Sequence, residues 1–312
     1  MQKLAFVFPG QGSQSVGMMS AYGDDPVIRA TFEEASQALG EDLWAMAAEG
    51  PAERLSLTTN TQPLMLVAGV AVFRSWIERT GRYPDAVAGH SLGEYAALVA
   101  AGVLSLPDAV PLVRLRARAM QEAVPAGCGA MAAVLGLDAD VVMACCEEAA
   151  QGEVVAAVNF NSPEQTVIAG HADAVRRAMA LLSERGAKRT LALPVSAPFH
   201  CSLMQPAAEK LGQALAVVEF RRPRIELINN VDVASPSEPE AIRDALVRQA
   251  AAPVRWVEVI QRMVQLGVTV VAECGPGKVL SGLTKRIDRN LGGVALADSA
   301  SFDQLAQQIG VN

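Results

Sequence analysis

A chain of 312 residues that is 51% hydrophobic and 19% charged carries enough apolar surface for one large core, which excludes a disordered or fibrous protein. Its formal net charge of -7 excludes general nucleic-acid binding, which needs a dominant basic face. The longest apolar runs, such as Pro63 to Phe73, are too short for a membrane span, and Met1-Gln2-Lys3 opens no signal-peptide pattern, so a cytoplasmic protein without membrane partners is expected.

Five cysteines, Cys128, Cys145, Cys146, Cys201 and Cys274, show no Cys-x-x-Cys pair. Neither a disulfide framework nor a metal site is indicated, and reduced, mostly buried thiols are expected. Only 4% of the chain is aromatic while Ala and Val recur, which suits helices packed on a mainly parallel sheet.

Leu4 to Phe8 reads as a buried strand that breaks at Pro9-Gly10-Gln11-Gly12. Helical patterns follow, and a second strand, Asp85 to Ala88, runs into Gly89-His90-Ser91-Leu92-Gly93 and a helix, Glu94 to Ala101. Gly-x-Ser-x-Gly at a strand-to-helix turn is a nucleophile elbow: the glycines make room for a bend that lifts the serine hydroxyl clear of the backbone. The helix start also presents unpaired amides, Leu92 first, to an oxygen that becomes negative during attack. Ser91 with Glu94 three residues on is also a capping box; the setting favours the nucleophile, and the two readings are compatible. The turn at Gln11 is placed to offer a second oxyanion donor. Its glycines, like those of Gly275-x-Gly277-Lys278, lack phosphate-loop spacing.

In the helix Asp108 to Glu122, Arg114 and Arg118 share one face, while Arg116 points to the apolar stripe of Leu112, Val113, Ala119 and Met120. A buried guanidinium needs an anion, so the partner is an internal carboxylate or a substrate carboxylate. The residues alone favour the internal one.

From about Ala130 the rhythm changes. Met131 to Leu137, Val154 to Asn159, Gln165 to Ala169 and Arg189 to Val195 read as strands, with helices over Asp138 to Ala150 and Ala172 to Glu184. That β-α-β-β-α-β order is the ferredoxin-like pattern. The fold class expected is therefore α/β, with a large α/β-hydrolase-like domain of mainly parallel sheet over 1–127 and 197–312. A ferredoxin-like subdomain is inserted over 128–196. Helices near Leu203 to Ala216, Ala241 to Ala251 and Val257 to Leu266, and a buried strand Val268 to Glu273, complete the large domain.

A serine hydroxyl needs a base, usually histidine. Of the three, His90 should leave the turn in another direction from Ser91, and His171 sits inside the subdomain. His200, on the return to the large domain, is the base by elimination and position. No acid is evident for a triad, so a dyad whose imidazole is oriented by a backbone group is at least as good a reading.

Seven blocks now carry a family resemblance: Phe8-Pro9-Gly10-Gln11-Gly12-Ser13-Gln14; Gly89 to Tyr95; Arg116 with Met120-Gln121-Glu122; Asn159-Phe160-Asn161-Ser162-Pro163; Pro194-Val195-Ser196 with Phe199-His200; Gln249 with Pro253-Val254-Arg255-Trp256; and Gly275 to Leu280. In this order, end to end, the chain resembles the malonyl-CoA:acyl carrier protein transacylases of bacterial-type fatty acid synthesis. The resemblance implies a ping-pong acyl transfer through a malonyl ester of Ser91, with His200 as base and the Gln249 main-chain carbonyl orienting it. It implies an oxyanion hole of the Gln11 and Leu92 amides. Arg116 becomes the clamp for the substrate carboxylate, reversing the reading from residues alone. Phe199, His90 and Asn161 join it as substrate-binding residues. Phe199 is similar to the residue of malonyl-selective members, methylmalonyl-selective ones tending to Ser, and Pro198 departs from the Ala of other relatives. The implied partners are CoA and an acyl carrier protein, with no cofactor and a monomeric enzyme. Lys188, Arg189, Lys278 and Lys285 are candidate contacts for an acidic carrier; Arg221, Arg222 and Arg286 make further basic pairs that read as solvated faces. A polyketide-pathway acyltransferase and a serine thioesterase are the rival readings.

Overall fold

The computed structural model describes residues 2–195 and 197–311; Ser196 of the block before His200, and the chain ends at 1 and 312, lie outside the described residues. Among the described residues nine strands form two sheets. β1 (Leu4–Phe8), β2 (Ala86–Gly89), β7 (Glu226–Ile228), β8 (Val270–Cys274) and β9 (Gly292–Leu296) belong to the first. β3 (Gly129–Leu135), β4 (Val155–Ser162), β5 (Gln165–His171) and β6 (Arg189–Ala192) belong to the second.

The first sheet has the order β7-β2-β1-β8-β9 and every neighbouring pair is parallel. Its central strands are buried on both faces, which is why β1 reads as an unbroken apolar run and β8 as one interrupted only by the buried Glu273, rather than as alternating strands. Within β1, Leu4, Phe6 and Phe8 enter one core with the helices Thr58–Thr80 and Leu106–Glu122. Ala5 and Val7 face the other core, with Trp256, Val259 and Ile260 of the helix Trp256–Gln265. The apolar run Pro63 to Phe73 lies wholly inside the buried helix Thr58–Thr80. No helix of the described residues is long and apolar enough to cross a membrane.

The second sheet has the order β4-β5-β3-β6 and is antiparallel throughout. Alternation along β3 divides its faces: Ala132 and Val134 pack under the helices Ala139–Ala150 and Ala172–Glu184, whereas Met131 turns towards Met120, Phe199 and Met204. The second sheet thereby presses on the loop that carries His200. Its seam with the first unit is also main-chain bonded, since Phe160 donates its N–H to the Val254 carbonyl at 3.0 Å and Val254 returns one to Val158 at 2.8 Å.

Several expected elements differ in extent. The strand expected over Arg189 to Val195 stops at Ala192, just ahead of the Leu193-Pro194 turn. The helix expected near Leu203 begins at Gln205, preceded by a short 3-10 turn, Ser202–Met204. β7 and β9 were not anticipated: three residues, or a pair of glycines, give too little pattern to read. The four buried thiols are free, and Cys128 is exposed.

Candidate active site

The carboxyl ends of β1, β2 and β7 converge, as expected for ligand sites on open parallel sheets. β2 delivers Ser91. Its φ of +54° lies in the left-handed region that serine seldom adopts. The flanking glycines follow from the bend: a Cβ at Gly89 would lie 1.8 Å from the Gly93 carbonyl carbon, and one at Gly93 would lie 2.0 Å from the Phe8 carbonyl oxygen. Asn230, fully buried just after β7, holds the turn from outside. Its Oδ1 accepts from the Ser91 amide at 2.8 Å, and its Nδ2 donates to the Gly89 carbonyl at 2.7 Å.

The Ser91 hydroxyl is 2.6 Å from Nε2 of His200, so it does not cap the following helix, whose first turn has no side-chain cap. The capping-box reading fails for Glu94 as well. That side chain turns inward, where Oε2 accepts from the Asn230 amide and from Gln249 Nε2, each at 3.0 Å. Burial pushes the Glu94 carboxyl up to about 7.

His200 is buried. A carbonyl oxygen only accepts, so the 3.0 Å contact with the Gln249 main-chain carbonyl fixes the proton on Nδ1 and leaves Nε2 to accept from Ser91. Where a triad would place a carboxylate, a backbone carbonyl stands. Burial, and then the nearby Arg116 charge, lower the His200 pKa to about 3, so the ring is neutral and able to take a proton at neutral pH.

Arg116 is 1% exposed, and its Nη1 donates to Gln62 Oε1 at 2.7 Å while its Nη2 reaches Gln249 Oε1 at 3.1 Å and Ser91 Oγ at 3.3 Å. The face of Tyr95 lies 5.5 Å from the guanidinium carbon. Among the described residues Arg116 has no ion pair and its Nε no hydrogen-bond partner. The internal carboxylate favoured by the residues alone is therefore absent here. It belongs instead to Arg114, also buried, which grips Glu41 through two bonds of 2.6 and 2.8 Å. A buried cation that is held only by neutral acceptors, beside a serine hydrogen-bonded to an imidazole, has the chemistry to receive an anionic group.

Gln11 follows β1, and its Nε2 donates to Thr58 Oγ1 at 3.3 Å. With Leu57, Thr58, Gln121, Pro194 and Val195 it lines a cleft of about 590 Å³. Leu92, at the start of the helix Gly93–Ala100, offers one of the amides that a helix beginning leaves free of intrahelical bonds. Phe199 packs with Met120, Val124 and Met131 in the apolar layer between the two sheets. His90 points away from the serine hydroxyl: its Nε2 lies 2.8 Å from Asn161 Oδ1 and its ring 5.4 Å from that of Trp256. His171 Nδ1 accepts from the Val154 amide at 2.9 Å and takes no part in the site. Sequence reasoning missed Asn230, Gln62 and the inward Glu94. The glutamate alone left a signal, its place one turn after the serine.

Of the basic candidates, Lys188 pairs with Glu164, Arg221 with Glu219 and Arg222 with Glu238. Arg189, Lys278, Lys285 and Arg286 are exposed without acidic partners among the described residues.

The acyl transferase domain matches residues 5–295. The chain is 53% identical over 309 residues to the malonyl CoA-acyl carrier protein transacylase of Haemophilus influenzae, covering 98% of this chain and 99% of that protein. An acyl-carrier-protein S-malonyltransferase from Burkholderia pseudomallei superposes with a TM-score of 0.96 at 59% identity, covering 98% of this chain and 99% of that one. A malonyl-transacylase solved in complex with its type II polyketide acyl carrier protein matches at 50% identity and a TM-score of 0.96, over 98% and 99% of the two chains.

Proposed function

This chain belongs to the acyl transferase family, and on that premise we propose that it moves a malonyl group from CoA to the phosphopantetheine thiol of an acyl carrier protein. The observation that carries the reading is Arg116: a buried guanidinium with no ion pair among the described residues, 3.3 Å from a serine hydroxyl that is itself 2.6 Å from a neutral imidazole. A hydrolase of simple esters has no use for that cation. An acyl group ending in a carboxylate does.

The malonyl carboxylate rests on Arg116, which orients the thioester carbonyl over Ser91. Ser91 Oγ attacks the carbonyl carbon as its proton passes to His200 Nε2, and the Gln249 carbonyl steadies the imidazolium through Nδ1–H. The amides of Gln11 and Leu92 receive the oxyanion. The carbon–sulfur bond breaks, and the CoA sulfur leaves with the proton from Nε2. In the second half the carrier thiol gives its proton to His200, its sulfur attacks the malonyl ester, and Ser91 Oγ recovers the proton. No step calls for a metal or redox cofactor. The enzyme works as a cytoplasmic monomer on CoA and a carrier protein, with neither nucleic acid nor membrane as partner.

Phe199 closes the acyl pocket against branched extender units, and the His90–Asn161 pair contributes to substrate binding. Arg189, Lys278 and Lys285, with Lys188 at the edge, form the contact for the acidic carrier. In architectural terms the parallel sheet is the hydrolase-like unit. The antiparallel one is a ferredoxin-like insertion over 128–196, whose β-α-β-β-α-β order and β4-β5-β3-β6 arrangement support the comparison. The likeness to a polyketide-carrier enzyme keeps a polyketide pathway as the second reading of the same chemistry.

Intact mass after mixing with malonyl-CoA, then with holo-carrier, tests the function. A malonyl adduct that discharges onto the carrier and is absent from Ser91→Ala is expected. Release of CoA with no adduct and no loaded carrier would identify a thioesterase instead.

A further inference from the structure

We propose that Glu94 is a positioning residue for acyl transfer, setting through one carboxylate oxygen the orientation of both Gln249 and Asn230, and through them Ser91, His200 and Arg116. The inference rests on the site reading above. Glu94 itself makes no contact with the Ser91 hydroxyl or the His200 ring, so the transfer steps leave it without a role.

Gln249 carries four of the site's bonds. Its main-chain carbonyl accepts from His200, its Oε1 from Arg116, and its Nε2 donates to the Ser91 carbonyl and to Glu94 Oε2. A side-chain amide turned over by 180° would set NH₂ against the guanidinium, donor against donor, and its oxygen against the Ser91 carbonyl. Glu94 selects the working orientation, because a carboxylate oxygen accepts only from the NH₂ end. The same Oε2 takes the Asn230 amide, and Asn230 in turn holds both ends of the elbow at Ser91 and Gly89. One atom thus joins the support of the nucleophile to the support of the base and of the anion receptor. It sits on the helix that begins two residues after Ser91, so the hub moves with the elbow as one body. A carboxyl that is 2% exposed and has no ion pair among the described residues costs stability, and its pKa is raised accordingly. Such a group persists where its bonds hold other groups in place.

The test compares Glu94→Gln, which keeps the reach and an acceptor oxygen but loses the charge, with Glu94→Asp, which keeps the charge but is one methylene short. Rapid-quench mass measurements give the acylation rate with malonyl-CoA and with acetyl-CoA, and thermal unfolding confirms that each variant folds. The rate is expected to follow reach. Glu94→Gln stays within about tenfold of wild type, the loss for exchanging a charged acceptor for a neutral one. Glu94→Asp falls on the order of 100-fold in kcat for both acyl groups, with a smaller change in KM, as expected when reacting groups are misplaced by about 1 Å. Equal rates for the two variants, or a faster aspartate variant, would overturn the proposal. A wild-type protein that forms no Ser91 adduct would instead overturn the site reading on which it rests.

Discussion

Replacing Arg116 by alanine tests the proposed anion receptor apart from the proposed nucleophile, because its guanidinium is 3.3 Å from Ser91 Oγ yet shares no backbone with it. A guanidinium has five N–H donors, and neutral acceptors on Gln62, Gln249 and Ser91 engage three of them. The buried Nε–H is left without a partner and no ion pair among the described residues offsets the charge, so a malonyl carboxylate would gain the full electrostatic attraction. Truncating one side of a buried, hydrogen-bonded charge pair costs about 3 kcal/mol, on the order of 100-fold in kcat/KM. Acetyl-CoA has no carboxylate to lose, so its kcat/KM should change by less than about tenfold, the worth of one neutral hydrogen bond. The preference for malonyl over acetyl should therefore shrink by at least about tenfold. Rapid-quench mass measurement of the Ser91 adduct with each thioester reads both numbers. The same experiment across pH adds a second readout. Burial and then the Arg116 charge hold His200 down to about 3, so removing that charge should move the acid limb of acetyl transfer upward, towards the ordinary imidazole value of 6.5. An unchanged malonyl-to-acetyl ratio, with an unmoved acid limb, would refute the clamp.

The Glu94 carboxyl holds its proton to about pH 7 when folded, against a value of 4.5 when free, so stability from this group is full below 4.5 and drains away as the pH rises to 7. Glu94→Gln lacks this loss, and its stability relative to wild type should improve by about 3 kcal/mol between those limits; a difference that does not move with pH in urea melts would contradict a raised Glu94 pKa. Asp25 caps the helix Pro26–Leu39 through Val27 and Ile28 and also receives Ser75 and Arg79. Asp25→Ala should lower stability by about 3 kcal/mol without changing the denaturant slope, and a loss under about 1 kcal/mol would show the bonds to be incidental. Gly93→Ala places a Cβ 2.0 Å from the Phe8 carbonyl oxygen, whereas Gly282→Ala meets nothing within 4 Å. The first should cost about 3 kcal/mol or more and abolish the Ser91 adduct, and the second should stabilise its helix by up to about 1 kcal/mol; equal effects in thermal unfolding would defeat the steric account of the elbow.

The amino-acid sequence by itself determined what depends on neighbours along the chain. The elbow is legible because two glycines at fixed spacing are the only way to pack its bend against β1. β1, the helix bearing Arg116 and the β-α-β-β-α-β order of the second sheet are legible because their apolar periods are local. His200 emerged from a short list of histidines and its place on the return to the parallel sheet. Tertiary structure alone decided where polar side chains found partners. Glu94 could cap its own helix or turn inward, and local chemistry permits both; the choice fell to Asn230 and Gln249, more than a hundred residues away. Arg116 and Arg114 are two residues apart in one helix, yet only Arg114 met a carboxylate, because Glu41 packs against its side and Gln62 and Gln249 against the other. β7, three residues long, carries no readable pattern, but it places the asparagine that holds the turn at Ser91. Periodicity fixes which face of an element is buried, whereas a buried polar bond depends on what the rest of the fold brings to that face.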